Sequence, residues 1–189
     1  QNRPTCFTGR IGVAKADITP PVGIFSRTWG AAQHDVASSI HRPLTLSVMT
    51  LESDPQQGPL VLIEADGSWW QQEQVWRTVQ TRLLETLSLE PTSLIFALSH
   101  THAAPPLRNA EPGMPGGELL AGWLERLTQA AIDTARQALE VACDATLDWH
   151  VGHCQLASVR DYPEPQPGSQ RMVCGYNPEV AADDTLLVG

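Results

Sequence analysis

Leu60-Val61-Leu62-Ile63-Glu64-Ala65-Asp66 is a continuous apolar run that ends in acid, and Leu94-Ile95-Phe96-Ala97-Leu98 is a second such run. Short apolar runs bounded by turn residues read as strands buried on both faces. Between them Val75, Val79, Leu83 and Leu87 recur at helical intervals, and Ser68 precedes Gln71 by the spacing of a capping box, so the pattern predicts a helix from Trp69 to Leu87. Strand, helix and strand within about 40 residues make a βαβ unit, with parallel strands and a right-handed crossover. The fold class is therefore α/β: a mixed sheet with at least one parallel βαβ unit and helices packed on it.

Working outward, a strand is expected from Arg10 to Ala16, ended by the rigid turn Asp17-Ile18-Thr19-Pro20-Pro21-Val22-Gly23. Residues 24–41 show no period and read as a long loop. Leu44 to Leu51 reads as the next strand, closed by turns at Ser53-Asp54-Pro55 and Gly58-Pro59. A Gly/Pro-rich loop from Ala103 to Gly117 leads into a second helix from Glu118 to Ala142, whose Leu120, Leu124, Leu127, Ala131, Ala135, Ala138 and Ala142 form one stripe. Thr146 to Leu156 alternates like a strand, and the chain from Ser158 onward is irregular and proline-rich. Thr185-Leu186-Leu187-Val188-Gly189 looks like the opening of another strand with no turn behind it, so the sequence is read as one domain, 1–189, cut at its C-terminal end from a larger catalytic domain.

With 189 residues the chain can bury a core without covalent staples. Hydrophobic residues make up 42% and charged residues 17%, with a net charge of −9, so the clustered Lys and Arg that bind phosphate are missing and nucleic acid is not an expected partner. No apolar stretch reaches the roughly 18 residues of a membrane-spanning helix. Gln1 to Gly9 hold no signal-like apolar run, yet a chain that starts at Gln points to processing, so the secreted, periplasmic and cytoplasmic readings all stay open. Cys6, Cys143, Cys154 and Cys174 form no CxxC pair and read as buried free thiols or a single disulfide.

Chemistry is expected at Ser99-His100-Thr101-His102-Ala103-Ala104-Pro105, where the second apolar strand ends. Ligands of open α/β sheets collect at the carboxyl ends of strands. Two histidines at i and i+2 on extended backbone point the same way, and neutral imidazole is a common metal ligand, so the pair reads either as zinc ligands or as two hydrogen-bonded loop histidines. Asp66, at the end of the neighbouring strand, would orient an imidazole or complement the dipole of the following helix. His34 and His41 read as surface or hydrogen-bonded residues, and the spacing of His150 and His153 puts them on opposite faces of a strand. Trp69, Trp70 and Trp76 read as packing residues of the first helix, with a ligand cage as the alternative. No GxSxG, GxGxxG or P-loop pattern is present.

Several motifs together resemble the neutral/alkaline, non-lysosomal ceramidase family. The stretch Ile11-Gly12-Val13-Ala14-Lys15-Ala16-Asp17-Ile18-Thr19-Pro20-Pro21-Val22-Gly23 is similar to that family's start. His41-Arg42-Pro43-Leu44 resembles its His-Asp-Pro-Leu segment, and Ser99 to Pro105 resembles its Thr-His-Thr-His-Ser-Gly-Pro motif. Val159-Arg160 stands at its Asn-Arg, and Gly175-Tyr176-Asn177-Pro178 resembles its Gly-x-Asn-Pro. Order and spacing agree over essentially the whole chain.

The resemblance implies a zinc-dependent amidohydrolase that cleaves an N-acyl bond of ceramide or a related lipid. It implies His100 as a direct Zn²⁺ ligand, His102 beside the metal on the scissile amide, and Arg160 as the active-site arginine. The family's remaining ligands, a His, a Glu and a Tyr, have no match in this chain, so a further segment is expected to complete the site and the chain alone is expected to be inactive. Arg42 in place of Asp and Val159 in place of Asn mark positions where substrate contacts are expected to differ. The alternatives are a metal-dependent hydrolase of another bond, such as an ester, and a catalytically silent domain of the same fold.

Overall fold

The computed structural model describes residues 6–54 and 56–189, which gather into two compact units, one formed by residues 8–145 and the other by residues 146–189 together with residues 6–7. In the larger unit the elements run β1 (Cys6–Asp17), β2 (Thr45–Glu52), β3 (Leu60–Ala65), α1 (Glu73–Leu87), β4 (Leu94–Leu98), α2 (Leu120–Glu140) and the first residues of β5 (Cys143–Asp148). They form one five-stranded sheet in the order β4-β3-β2-β1-β5. β1 pairs with β2 and β2 with β3 in antiparallel fashion, while β3 and β4 are parallel through α1, which is the expected βαβ unit in a mixed sheet.

The sheet is buried on one face only, which corrects the reading of β3 and β4 as strands covered on both sides. Along β3, Val61, Ile63 and Ala65 are buried while Glu64 is exposed, and on β4 Ile95 stands 49% exposed. Both helices share a single apolar cluster with the same alternate strand residues, among them Ala14, Leu46, Val48 and Ile63. The other face carries the cross-strand row Val13, Met49, Leu62 and Ile95, so apolar residues fill both sides of the pleat although only one is covered by helix.

α2 starts without a side-chain cap, after a 3₁₀ turn over Gly117–Leu119. A missing cap costs about 1 kcal/mol, whereas each fully buried large apolar side chain contributes about 1.5–3 kcal/mol. Leu120, Trp123, Leu127 and Ile132 are all nearly inaccessible, so packing dominates and holds the helix. The Trp123 indole is also satisfied, donating its Nε1–H to the Ile18 carbonyl at 2.9 Å.

α1 begins four residues later than the pattern predicts, because the backbone before it is committed elsewhere. Trp70 bridges Leu107, and the Gln71 N–H donates to the Leu107 carbonyl at 3.2 Å. Ser68 is buried with no partner for its Oγ among the described residues, so no capping box forms. The turn between β2 and β3 is closed by the Gln57 N–H on the Asp54 carbonyl; its Pro55 lies outside the described residues.

The strand expected over 146–156 divides at Trp149 into β5 and β6 (His150–His153). In the smaller unit β6 pairs antiparallel with β9 (Thr185–Val188), so the last expected strand is present and has a partner. A short hairpin joins β7 (Asp161–Pro163) to β8 (Met172–Cys174) in the stretch read as irregular. The four cysteines are free, but none is buried: Cys6, Cys143 and Cys174 sit on exposed strand positions and Cys154 is half-buried.

Gly12 marks the closest approach of sheet and helix. A Cβ there would lie 1.8 Å from the Ala138 carbonyl oxygen and 2.9 Å from the Thr50 Oγ1. Overpacking of this kind costs about 1–3 kcal/mol, so Gly12→Ala is expected to lower the melting temperature by about 5–10 °C, and an unchanged melting curve would contradict the contact.

Glu64 tests the sheet edge electrostatically. Desolvation, and then the charge of Asp66, raise its carboxyl above the ordinary range, with Lys15 acting in the opposite sense. A carboxyl that binds its proton more tightly when folded weakens the fold as pH rises through its titration range. Glu64→Gln is therefore expected to raise the melting temperature at neutral pH and to leave it unchanged below about pH 3, where both states are protonated. An increase of the same size at both pH values would show that charge is not the cause.

Candidate functional site

The start of β2 and the C-terminal ends of β3 and β4 converge on one carboxylate. The Asp66 Oδ2 accepts from the Thr45 N–H at 2.8 Å and the Thr45 Oγ1 at 3.2 Å, and its Oδ1 accepts from the Ser99 Oγ at 3.0 Å. The backbone of Ser99 continues the parallel ladder by donating to the Ala65 carbonyl at 3.1 Å. Asp66 therefore braces the strand ends. Among the described residues it bonds neither imidazole, and with α1 starting at Glu73 it is not at that helix's first turn.

Beyond Ser99 the chain leaves the strand. His100 adopts φ 59°, a left-handed conformation that histidine tolerates better than most residues, and His102 lies in a turn. The pair is not on extended backbone, as the spacing implied, yet the two rings converge: their centroids are 5.4 Å apart and their planes 31° from each other. The turn, rather than strand alternation, brings them to one side.

Two tryptophans enclose them. Trp69 lies 5.7 Å from the His100 ring and 5.5 Å from the His102 ring, and Trp29 meets His102 edge-on at 5.2 Å. Trp70 and Trp76 are packing residues as expected, tilted against each other and each meeting Phe96 edge-on. Trp69 differs from them: it precedes α1 and stands 40% exposed against the imidazoles.

His102 is fixed twice by Thr28. Its Nδ1 lies 3.1 Å from the Thr28 carbonyl oxygen, and the Thr28 Oγ1 donates to the His102 carbonyl at 3.0 Å. A carbonyl can only accept, so Nδ1 carries a proton and Nε2 is the ring nitrogen left free of that bond. Thr28 and Trp29 come from the long loop over 24–41, which is itself ordered. Phe25 bridges Val36, the Ser26 N–H donates to the Asp35 carbonyl at 2.9 Å, and the Arg27 guanidinium meets the Asp35 carboxylate at 3.1 Å. Gly116 lets this loop approach: at φ 69° its absent Cβ would lie 2.1 Å from the Gly23 carbonyl oxygen.

Thr28, Trp29 and Trp69 escaped the sequence reading. For Trp69 a signal existed, since it follows the acid-terminated strand by three residues and so sits at the same sheet edge as His100. For Thr28 none did, because its partner His102 lies 74 residues away and the contact to Nδ1 is made by a backbone carbonyl that any residue would supply.

Arg160 belongs to the smaller unit, and His100 and His102 to the larger. Its side chain is exposed, without an ion-pair partner among the described residues. Its carbonyl accepts the Gly175 N–H at 2.7 Å, and the Val159 carbonyl accepts the Asn177 N–H at 2.9 Å. Asn177, only 8% exposed, donates its Nδ2–H to the Asp161 carbonyl at 2.9 Å. The Val159-Arg160 and Gly175-to-Pro178 segments, far apart in sequence, are thus one hydrogen-bonded structure. His153, in the same unit, lies 3.0 Å from the Asp184 carboxylate.

Imidazole nitrogens are suitable donors for zinc, so His100 and His102 fit such an ion by their chemistry. Among the described residues no group of three or more His, Cys, Asp or Glu gathers into a metal-holding cluster.

No family model and no curated protein matches the sequence. Solved structures do match. A ceramidase complexed with C2 superposes with a TM-score of 0.63 at 18% identity, over 85% of this chain and 25% of that one. The neutral ceramidase from Pseudomonas aeruginosa superposes with a TM-score of 0.63 at 18% identity, over 87% of this chain and 27% of that one. This chain spans about a quarter of the length of those ceramidases. What the likeness carries at this identity is architecture: the chain has a ceramidase-like fold.

Proposed function

We propose that this chain contributes to a zinc-dependent hydrolase of N-acyl bonds, with ceramide-like lipid amides as the substrate class. The observation that supports it is the convergence of His100 and His102 at the carboxyl end of a parallel strand, in the fold that the ceramidase structures share. His100 is the proposed zinc ligand, with the remaining donors coming from outside the described residues. When bound, zinc supplies Lewis acidity towards an acyl carbonyl and towards water.

His102 acts through Nε2. With its Nδ1–H donated to the Thr28 carbonyl, the neutral ring takes a proton from the attacking water. The imidazolium then formed donates its Nε2–H to oxygen or nitrogen of the scissile group as charge develops there. Trp29 and Trp69 hold that ring from two sides, so it reaches the reaction without reorienting. Arg160 is the proposed substrate-binding cation of the smaller unit. Among the described residues no helix is long and apolar enough to cross a membrane.

The two histidines are separated by different readouts, measured on protein expressed from its complete reading frame. His100→Ala is expected to abolish zinc retention. His102→Ala is expected to keep zinc but to lower kcat on a medium-chain ceramide by about 10²–10⁴-fold, the usual contribution of a general acid–base. Equal zinc content in His100→Ala and the parent protein would remove the proposal.

A further inference from the structure

A cavity in the larger unit adjoins the loop that carries the imidazoles. It has a volume of about 390 Å³ and includes Thr101 and Ala103, the residues on either side of His102. That volume falls within the range of about 300–1,000 Å³ typical of small-molecule sites. Its walls are apolar, formed by Pro20, Pro21, Ile40, Pro43 and Leu44, and its polar groups include His41, Arg42 and Asp66.

The walls are held before any ligand arrives. The Ile18 N–H donates to the Leu44 carbonyl and the Leu44 N–H to the Thr19 Oγ1, both at 2.9 Å, so the proline turn and the segment leading into β2 are laced together. A preorganised cleft does not lose affinity to ordering its own loops.

The charge in the cleft is unbalanced. Most described arginines face a carboxylate, as Arg27 does Asp35 and Arg82 does Glu125. Arg42 is exposed and pairs with no carboxylate among the described residues, although acidic residues outnumber Lys and Arg by 21 to 12. Asp66, the acid in the cleft, is already bonded through Oδ2 to Thr45 and through Oδ1 to Ser99. An unpaired arginine next to a histidine in the lining of a largely apolar cleft matches a ligand with a hydrocarbon part and an anionic end.

We propose that this cleft binds the carboxylate-bearing end of an N-acyl amino acid, with Arg42 as the carboxylate-binding residue and His41 beside it, which extends the N-acyl substrates of the preceding section from neutral ceramide-like amides to anionic ones and rests on that reading for its link to hydrolysis. The apolar walls take the hydrocarbon portion nearest the head.

Calorimetric titration of the metal-free protein in a chelator tests it, with N-octanoylglycine and its neutral counterpart N-octanoylglycinamide as the probes. The parent protein is expected to bind the carboxylate about five- to tenfold more tightly, the gain from one partly exposed charge-assisted contact. Arg42→Gln is expected to bring both ligands to the affinity of the amide, with an unchanged melting temperature because the side chain is exposed and unpaired. Equal affinity of the parent protein for the two ligands, no binding of either, or a preference that survives Arg42→Gln would overturn the cleft assignment. Binding preference without hydrolysis of any amide by the zinc-loaded protein would instead count against the preceding section and leave the cleft in place.

Discussion

The Asp66 carboxylate joins the ends of three strands. It receives the backbone and hydroxyl of Thr45 at the start of β2, terminates β3, and receives the Ser99 hydroxyl where β4 gives out. A hydrogen bond to an ionised group contributes about 1.5–3 kcal/mol, more than any single surface ion pair of this chain can supply. The loop that carries His100 and His102 leaves the sheet directly from this bond, and the segment that walls the cleft enters the sheet through it. Position at the sheet edge is thereby translated into position of the imidazoles.

The second constraint is supplied by an element without secondary structure. Residues 24–41 form no strand or helix, yet the Phe25–Val36 bridge and the approach to Gly116 fix them well enough for the Thr28 carbonyl to hold Nδ1 of His102. A carbonyl partner selects the tautomer as well as the orientation. The apolar faces of Trp29 and Trp69 then limit how the ring can turn.

Much of this architecture could be read from residue patterns. The two apolar runs at Leu60 and Leu94 gave the parallel pair, and the stripe from Leu120 to Ala138 gave α2, because burial against a sheet imposes period on sequence. What failed depended on partners distant in sequence. Ser68 could not cap α1 because Leu107 had claimed the backbone of Trp70 and Gln71. The strand after α2 broke at Trp149, since its two halves pair with different strands. One-sided burial of β3 was hidden because Leu60, Leu62 and Ile95 are apolar on the uncovered face. At the site, the His-x-His spacing pointed to the right loop for an incorrect local reason, as His100 is left-handed rather than extended. Trp69 was counted among packing residues with Trp70 and Trp76, and only its neighbours in space distinguish it.

The proposal that His100 binds zinc beside an Nδ1-protonated His102 is open to direct observation by long-range ¹H–¹⁵N correlation spectroscopy of the histidine side chains, recorded while zinc is added to the protein expressed from its complete reading frame. His102 should show its proton on Nδ1 before zinc is added, and the ring nitrogens of His100 should shift in proportion to zinc up to one ion per chain. A proton on Nε2 of His102, or His100 resonances indifferent to the metal, would contradict the site described here.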